Sequence, residues 1–262
     1  MTLLIRMKKS AKVLNKQNEK LDVLIEGSEK SPVVVVFSHG LGAGKGETYS
    51  YFSDIAKTIS SEYITVRFDY SGYGQSEGEE VDVTYYKQRD DLSSILDYVS
   101  KNFSNKDIYI IAHSMGTFIT LLLNDNRVKK AALTGIPNTN TEYIVKKVAE
   151  RIRSRDGSHF DEFGITLFPR SNGSIQKFGP GFWKSLREFK PIEYLKKFSE
   201  HCETLVIHPS EDDVVGNEHM GAYKLIKGLK YIESPGDHSF RKKVGRAKVI
   251  GLILQFFKGQ TL

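Results

Sequence analysis

Apolar runs bounded by turn residues recur along this chain at intervals that fit strands alternating with helices. The β-branched run from Val33 to Phe37, bracketed by Pro32 and Gly40, predicts a strand buried on both faces. Further strands are predicted in "YITVRFDY", "DIYIIAH" and "VKKAALTGI", with helices between and after them near residues 49–60, 84–99 and 115–123. Ahead of these, "KVLNKQNEKLDVLIE" (residues 12–26) reads as a hairpin about the polar stretch Asn15 to Asn18. Strand and helix in repetition predict an α/β fold, a mostly parallel sheet of about eight strands with helices on both faces.

The alternation breaks between Pro137 and Pro191. A charged helix near residues 141–155 is followed by "GITLFPRSNGSIQKFG", a hairpin about Ser171, Asn172 and Gly173. Phe160, Phe163, Phe168, Phe178, Phe182, Trp183 and Phe189 crowd this stretch, so it must pack on something or line something. The division expected is a core of residues 1–137 and 191–262 with an inserted cap of residues 138–190. The core pattern resumes with "TLVIHPSEDDVV", a helix at about 217–227, the strand "LKYIES" and a last helix over about 241–257.

Composition narrows the class. At 262 residues, 39% hydrophobic and 27% charged, the chain has the make-up of an ordinary globular protein large enough for one domain with an insertion. The net charge of +6 is uneven: residues 1–20 carry six Lys or Arg against one Glu, and residues 241–262 carry six against no acid. The remainder is mildly acidic, and no basic run interleaves with aromatics, which argues against a nucleic-acid groove. A single cysteine, Cys202, favours a reducing compartment and hence a cytoplasmic location. No stretch approaches the roughly 20 apolar residues of a membrane span, so no stable membrane insertion is expected.

Candidate chemistry sits where predicted strands end. Ser114 follows "IYIIAH" and opens "MGTFITLLL", at the carboxyl edge of the sheet, where open α/β sheets place their sites. A nucleophile elbow uses G-x-S-x-G because its tight turn leaves no room for side chains two residues either side of the serine. Here the stretch is Ala112-His113-Ser114-Met115-Gly116, and a plain helix N-cap is the competing reading. After the first buried strand, "HGLGAGKG" frees backbone N–H groups to face a developing negative charge. Phosphate binding fails on spacing, since only three residues separate Gly40 from Gly44 and Gly46 follows Lys45. A serine nucleophile also needs a base and an acid to orient it. Asp212, with Asp213 in reserve, follows "TLVIH", and His238 follows "LKYIES". The order Ser, Asp, His is the one used on this topology.

The stretches "FSHGLG", "RFDYSGYGQSEG", "AHSMG", "VIHPSEDDVV" and "PGDHSF" resemble the α/β-hydrolases, in their serine esterase and lipase-like branch. That resemblance implies Ser114 as nucleophile, Asp212 as acid, His238 as base, and the N–H groups of Leu41 and Met115 as oxyanion hole. Asp69, Ser71, Gly72 and Gly74 would form a structural turn beside the site. The insertion looks like the small cap of cinnamoyl and feruloyl esterases and monoacylglycerol-lipase-like enzymes, which puts Phe168, Phe178 and Trp183 against substrate. Ala112 departs from the elbow glycine, and Pro209 and Gly216 exchange the residue types the family often has around the acid. The expected activity is cleavage of a carboxylic ester with an apolar or aromatic acyl group through an acyl-enzyme, with no cofactor and no metal, by a monomer or homodimer. Thioester cleavage and aminopeptidase action use the same machinery, the latter drawing on Glu142, Glu150, Asp161 and Glu162 for an acidic patch. A hydrolase-like binding protein without turnover is the alternative from another class.

Overall fold

The computed structural model describes residues 6–170 and 173–262. The chain opens with β1 (Arg6–Leu14) and β2 (Lys20–Ser28), paired antiparallel about a turn in which the Asn15 carboxamide accepts the N–H groups of Gln17 and Glu19. Strands β3 (Val33–Ser38), β4 (Ile64–Phe68), β5 (Asp107–His113) and β6 (Val128–Thr134) follow. The insertion holds β7 (Thr166–Pro169) and β8 (Ile175–Phe178), and β9 (Glu203–Pro209) and β10 (Lys230–Ser234) complete the set. Eight of these form one sheet in the order β1-β2-β4-β3-β5-β6-β9-β10. The pairs β1 with β2 and β2 with β4 are antiparallel, and every other pair in the sheet is parallel.

Every residue of β3 is buried, which follows from its place at the middle of the sheet with helices on both faces. Its side chains alternate between two cores. Val34 and Val36 face α2 (Tyr85–Asn102) and α3 (Met115–Leu123), packing with Leu92, Ile95 and Phe118 after the first of the helices, α1 (Tyr51–Ile59), has crossed the other face. Val33, Val35 and Phe37 face that α1 side, together with Tyr51, Phe52 and Ile55 and with Val249, Ile253 and Phe256 of the C-terminal helix. The two-residue period of a strand thus divides one apolar run between two layers.

The remaining helices are α4 (Thr141–Arg153), α5 (Pro180–Glu188), α6 (Pro191–Ser199), α7 (Gly221–Lys224) and α8 (Lys243–Phe257). Both α5 and α6 start with proline in the first turn, where the missing N–H costs no hydrogen bond. Neither helix is read from the sequence pattern, because their prolines also read as breaks. The helix expected over 217–227 shrinks to α7, since His219 takes φ 62° and the Asn217 carboxamide turns back to donate to Ser210 O at 3.1 Å.

The segment between β6 and α6 folds over the carboxyl edge of the sheet. The expected hairpin is formed by β7 and β8, paired antiparallel from Thr166↔Phe178 to Pro169↔Ile175; Ser171 and Asn172 of its turn lie outside the described residues. Its aromatics interlock, with ring centroids 5.1 Å apart for Phe182 and Trp183, 4.9 Å for Phe178 and Phe182 and 5.1 Å for Phe160 and Trp183. Phe189 stacks on Phe118 of α3 at 4.0 Å, so this segment shares the main core rather than standing apart from it.

Trp183 is buried at the centre of this cluster, and its indole N–H has no hydrogen-bond partner among the described residues. Trp183→Ala is expected to lower the unfolding free energy by about 3–5 kcal/mol in urea denaturation. Trp183→Phe is expected to lose less than half as much, because it keeps the ring and removes the unpartnered donor.

Candidate active site

Between β5 and α3 the backbone turns within one residue. Ser114 sits at φ 52°, ψ −127°, a left-handed region that non-glycine residues occupy only when the surroundings over-determine it. Those surroundings are visible. The Ser114 N–H donates to Thr134 O at 3.0 Å, and the Ser38 hydroxyl donates to Gly116 O at 2.9 Å. A Cβ on Gly116 would lie 2.1 Å from Ser38 O, so only glycine lets α3 start this close to the end of β3. Ala112, buried in β5, meets the requirement for a small residue on the other side. The helix N-cap reading of Ser114 finds no support, since its side chain makes no cap hydrogen bond.

The Ser114 hydroxyl instead points to His238, with Oγ 2.9 Å from Nε2. On the far side of the ring, Nδ1 lies 2.8 Å from Asp212 Oδ2, and Asp212 Oδ1 accepts the N–H groups of Val214 and Val215, each at 3.0 Å. Burial pushes the Asp212 carboxyl up, but His238 and the two N–H donors outweigh it and hold the group below the ordinary carboxylate value. An ionised Asp212 places the imidazole proton on Nδ1 and leaves Nε2 free to accept from Ser114. Asp213 is exposed, and the contact to His238 belongs to Asp212. The loops carrying Asp212 and His238 are tied together by Glu211 N–H donating to Gly236 O at 2.9 Å.

Leu41 and Met115 both border the cavity next to Ser114. Met115 opens α3, where the first N–H groups of a helix lack partners in the helix itself. Among the described residues neither N–H donates to another group. The loop that carries Leu41 is held by a relay. The Tyr70 N–H donates to His39 Nε2 at 3.0 Å, which puts the ring proton on Nδ1, and Nδ1 donates to Gly40 O at 2.9 Å. The Glu47 carboxylate accepts the Gly40 N–H at 2.6 Å, leaving the next N–H along the chain unengaged.

Three supporting residues went unread in the sequence because their roles depend on residues far away in the chain. Gly135, at φ 56°, leaves room for His238: a Cβ there would lie 3.1 Å from His238 Cε1 and 2.9 Å from His113 Cε1. Thr134 accepts from His113 and fixes the Ser114 backbone. His39 orders the glycine loop as described. The turn at Asp69 to Gly74 is structural, with the Asp69 carboxylate accepting from Lys45 Nζ at 2.7 Å and Gln75 N–H at 2.9 Å. Cys202 is buried, its thiol pushed up to about 12 by that burial, which removes it as a nucleophile. Among the described residues no group of three or more His, Cys, Asp or Glu side chains is arranged to hold a metal ion. No described helix is long and apolar enough to cross a membrane.

The cavity over Ser114 has a volume of about 490 Å³. Phe168, expected against substrate, lines it, together with Leu41, Met115, Ile144, Val148 and Leu186. Phe178 and Trp183, expected there too, do not: both are buried within the aromatic cluster that supports the cavity wall. Phe178 stands at the end of β8 and Trp183 on α5, and both turn toward Phe182. The acidic patch considered for an amine substrate does not form either. Glu142 and Glu162 both pair with Arg187, and none of Glu142, Glu150, Asp161 and Glu162 borders the cavity.

Comparison with known proteins bears on the fold. A family model described as serine aminopeptidase, S33, matches residues 29–153, the span from just before β3 through α4. A ferulic-acid-bound structure of Est1E from Butyrivibrio proteoclasticus superimposes with a TM-score of 0.75 at 19% identity, covering 95% of this chain and 99% of the other. The chain has the α/β-hydrolase fold. A Pyrococcus furiosus esterase gives a TM-score of 0.75 at 15% identity over 98% of this chain and 92% of its own. Lysophosphatidylserine lipase of Danio rerio is 25% identical over 194 residues, 71% of this chain and 45% of the relative. The chain therefore spans somewhat less than half the length of that curated relative.

His113 lies beneath His238, with the two ring centroids 4.8 Å apart, and is fully buried. Burial holds it far below the usual value, at about 4, and burial lowers His39 in the same direction. The unfolded chain therefore binds protons that the folded chain refuses, and stability falls as pH drops from about 6.5 towards 4. His113 contributes on the order of 3 kcal/mol to that fall. Urea midpoints measured across this range are expected to decline, with a shallower slope in His113→Gln.

Proposed function

We propose that this protein is a serine hydrolase that cleaves carboxylic esters through an acyl-enzyme. The observation that carries the reading is the continuous chain Asp212, His238, Ser114, with contacts of 2.8 and 2.9 Å, opening into a cavity beside two N–H groups with no other partner among the described residues. In the proposed reaction the Ser114 oxygen attacks the ester carbonyl carbon as its proton passes to His238 Nε2. The carbonyl oxygen takes up the negative charge and accepts from the N–H groups of Leu41 and Met115. The charge returns to re-form the carbonyl, the bond to the alcohol oxygen breaks, and His238 protonates the leaving alcohol. Water, deprotonated by the same histidine, repeats the sequence on the acyl-enzyme and releases the acid with Ser114 restored. Asp212 keeps its charge throughout and stabilises the imidazolium.

An ester is favoured over a peptide with a free amino terminus. The matching family model bears the name of an aminopeptidase, yet Glu142, Glu150, Asp161 and Glu162 do not border the cavity, Glu142 and Glu162 pair with Arg187, and the two carboxylates that do border it, Glu47 and Glu80, already accept backbone N–H groups. The apolar lining of Leu41, Met115, Ile144, Val148, Phe168 and Leu186 suits an acyl or aryl group, and the similar Pyrococcus furiosus structure is an esterase by name.

In p-nitrophenyl ester assays Ser114→Ala is expected to reduce kcat to near background and to abolish labelling by a fluorophosphonate probe. Labelling that persists in this variant would falsify the nucleophile assignment. Asp212→Asn is expected to lower kcat by about 10⁴-fold, since an amide there favours the wrong imidazole tautomer, while Asp213→Asn stays within about twofold of the unaltered protein, as an exposed change away from the contact should. Hydrolysis of aminoacyl anilides faster than of matched esters would overturn the ester preference.

A further inference from the structure

The cavity wall carries cations that the proposed chemistry does not use. Ile144, Val148 and Arg151 of α4 and Arg155 just beyond its end all border the cavity, at steps of four, three and four residues, which is one face of a helix. That face changes from apolar to cationic along its length, over about 1.5 Å of rise per residue. Arg170 joins Arg151 and Arg155 from the end of β7 on the hairpin.

Among the described residues none of these arginines makes an ion pair. Arg170 is half-buried, with its guanidinium 5.4 Å from the centre of the Phe168 ring and Nη1 donating to Gln176 Oε1 at 3.0 Å. Gln176 in turn lies against Gly42 of the glycine loop, so Arg170 is set in place by the same contacts that shape the floor of the site. Burial and the neighbouring Arg151 lower the Arg170 pKa, while Glu47 and Glu80 act the other way. Those two carboxylates also border the cavity, but each already accepts backbone N–H groups: Glu47 from Gly40 and Thr48, Glu80 from Lys177. Favourable placement at a helix C-terminus accounts for Arg151. It does not account for Arg170, which belongs to a hairpin and is partly withdrawn from water without an ion-pair partner among the described residues.

We propose that the preferred substrate is an ester bearing an anionic group, carboxylate or phosphate, away from the scissile bond, held by Arg151, Arg155 and Arg170 while its apolar portion lies along Ile144 and Val148. This rests on the reading of Ser114 as an ester-cleaving nucleophile. Arginine suits the role because its fork of donors matches the oxygens of either anion.

The test uses two matched pairs: a medium-chain p-nitrophenyl ester against the same chain ending in a carboxylate, and a monoacylglycerol against its phosphate monoester. The unaltered protein is compared with a variant combining Arg151→Gln, Arg155→Gln and Arg170→Gln, and with the corresponding triple lysine variant. The ratio of kcat/KM, anionic over neutral, is expected to fall about tenfold or more in the glutamine variant for at least one pair, mainly through KM. The lysine variant is expected to keep part of the preference, and added NaCl to reduce it in the unaltered protein. Which pair responds identifies the anion. If the neutral esters are hydrolysed but both ratios stay within twofold of those of the unaltered protein, the anion site is wrong and the ester reading stands. If the unaltered protein hydrolyses none of the four, the ester reading itself fails.

Discussion

Everything at this site depends on the close approach of α3 to the end of β3. A helix cannot follow a buried strand within one residue unless something takes up the strain, and Ser114 does so at φ 52°, at a cost of about 1–3 kcal/mol. The cost is offset by bonds that no other arrangement would permit: Ser114 N–H to Thr134 O, and Ser38 hydroxyl to Gly116 O. Gly116 is the hinge of this arrangement because a single methyl group would collide with Ser38 O. Once the turn is set, the hydroxyl leaves the turn toward His238, and the first N–H groups of α3 face the same space.

The same economy holds one layer out. His39, Glu47 and Thr134 touch no part of a substrate through the roles described, yet each fixes a backbone group beside Ser114. Buried histidines held neutral make this support sensitive to acid, so the site and the stability of the surrounding core respond to pH together. The inserted segment works differently. Its Phe178 and Trp183 support the wall from behind, and the surface it turns to the cavity sets Phe168 and Phe182 among aliphatic side chains and arginines rather than in a continuous aromatic face.

Much of the fold was legible because its signals are local. The apolar run Val33 to Phe37 and the strand-helix alternation after it report a buried parallel sheet, and all eight sheet strands lie where the pattern places them. Within the insertion the hairpin was legible from its turn residues, whereas α5 and α6 were not, since Pro180 and Pro191 serve as helix starts and as breaks with the same spelling. For Ser114, Asp212 and His238 the legible part was their position after strands, because a parallel sheet brings successive strand ends to one edge.

The amino-acid sequence by itself determined the layered sheet, the edge at which chemistry would gather and the residue types available there, since periodicity and turn residues act over a few positions. Only the tertiary structure decided between Asp212 and Asp213 as the partner of His238, sent Phe178 and Trp183 into the supporting cluster and turned Glu142 and Glu162 away to Arg187. It also brought Arg151, Arg155 and Arg170 to the cavity. Those outcomes depend on which way a side chain faces once distant segments have packed, and packing is a property of the whole chain rather than of any stretch of it.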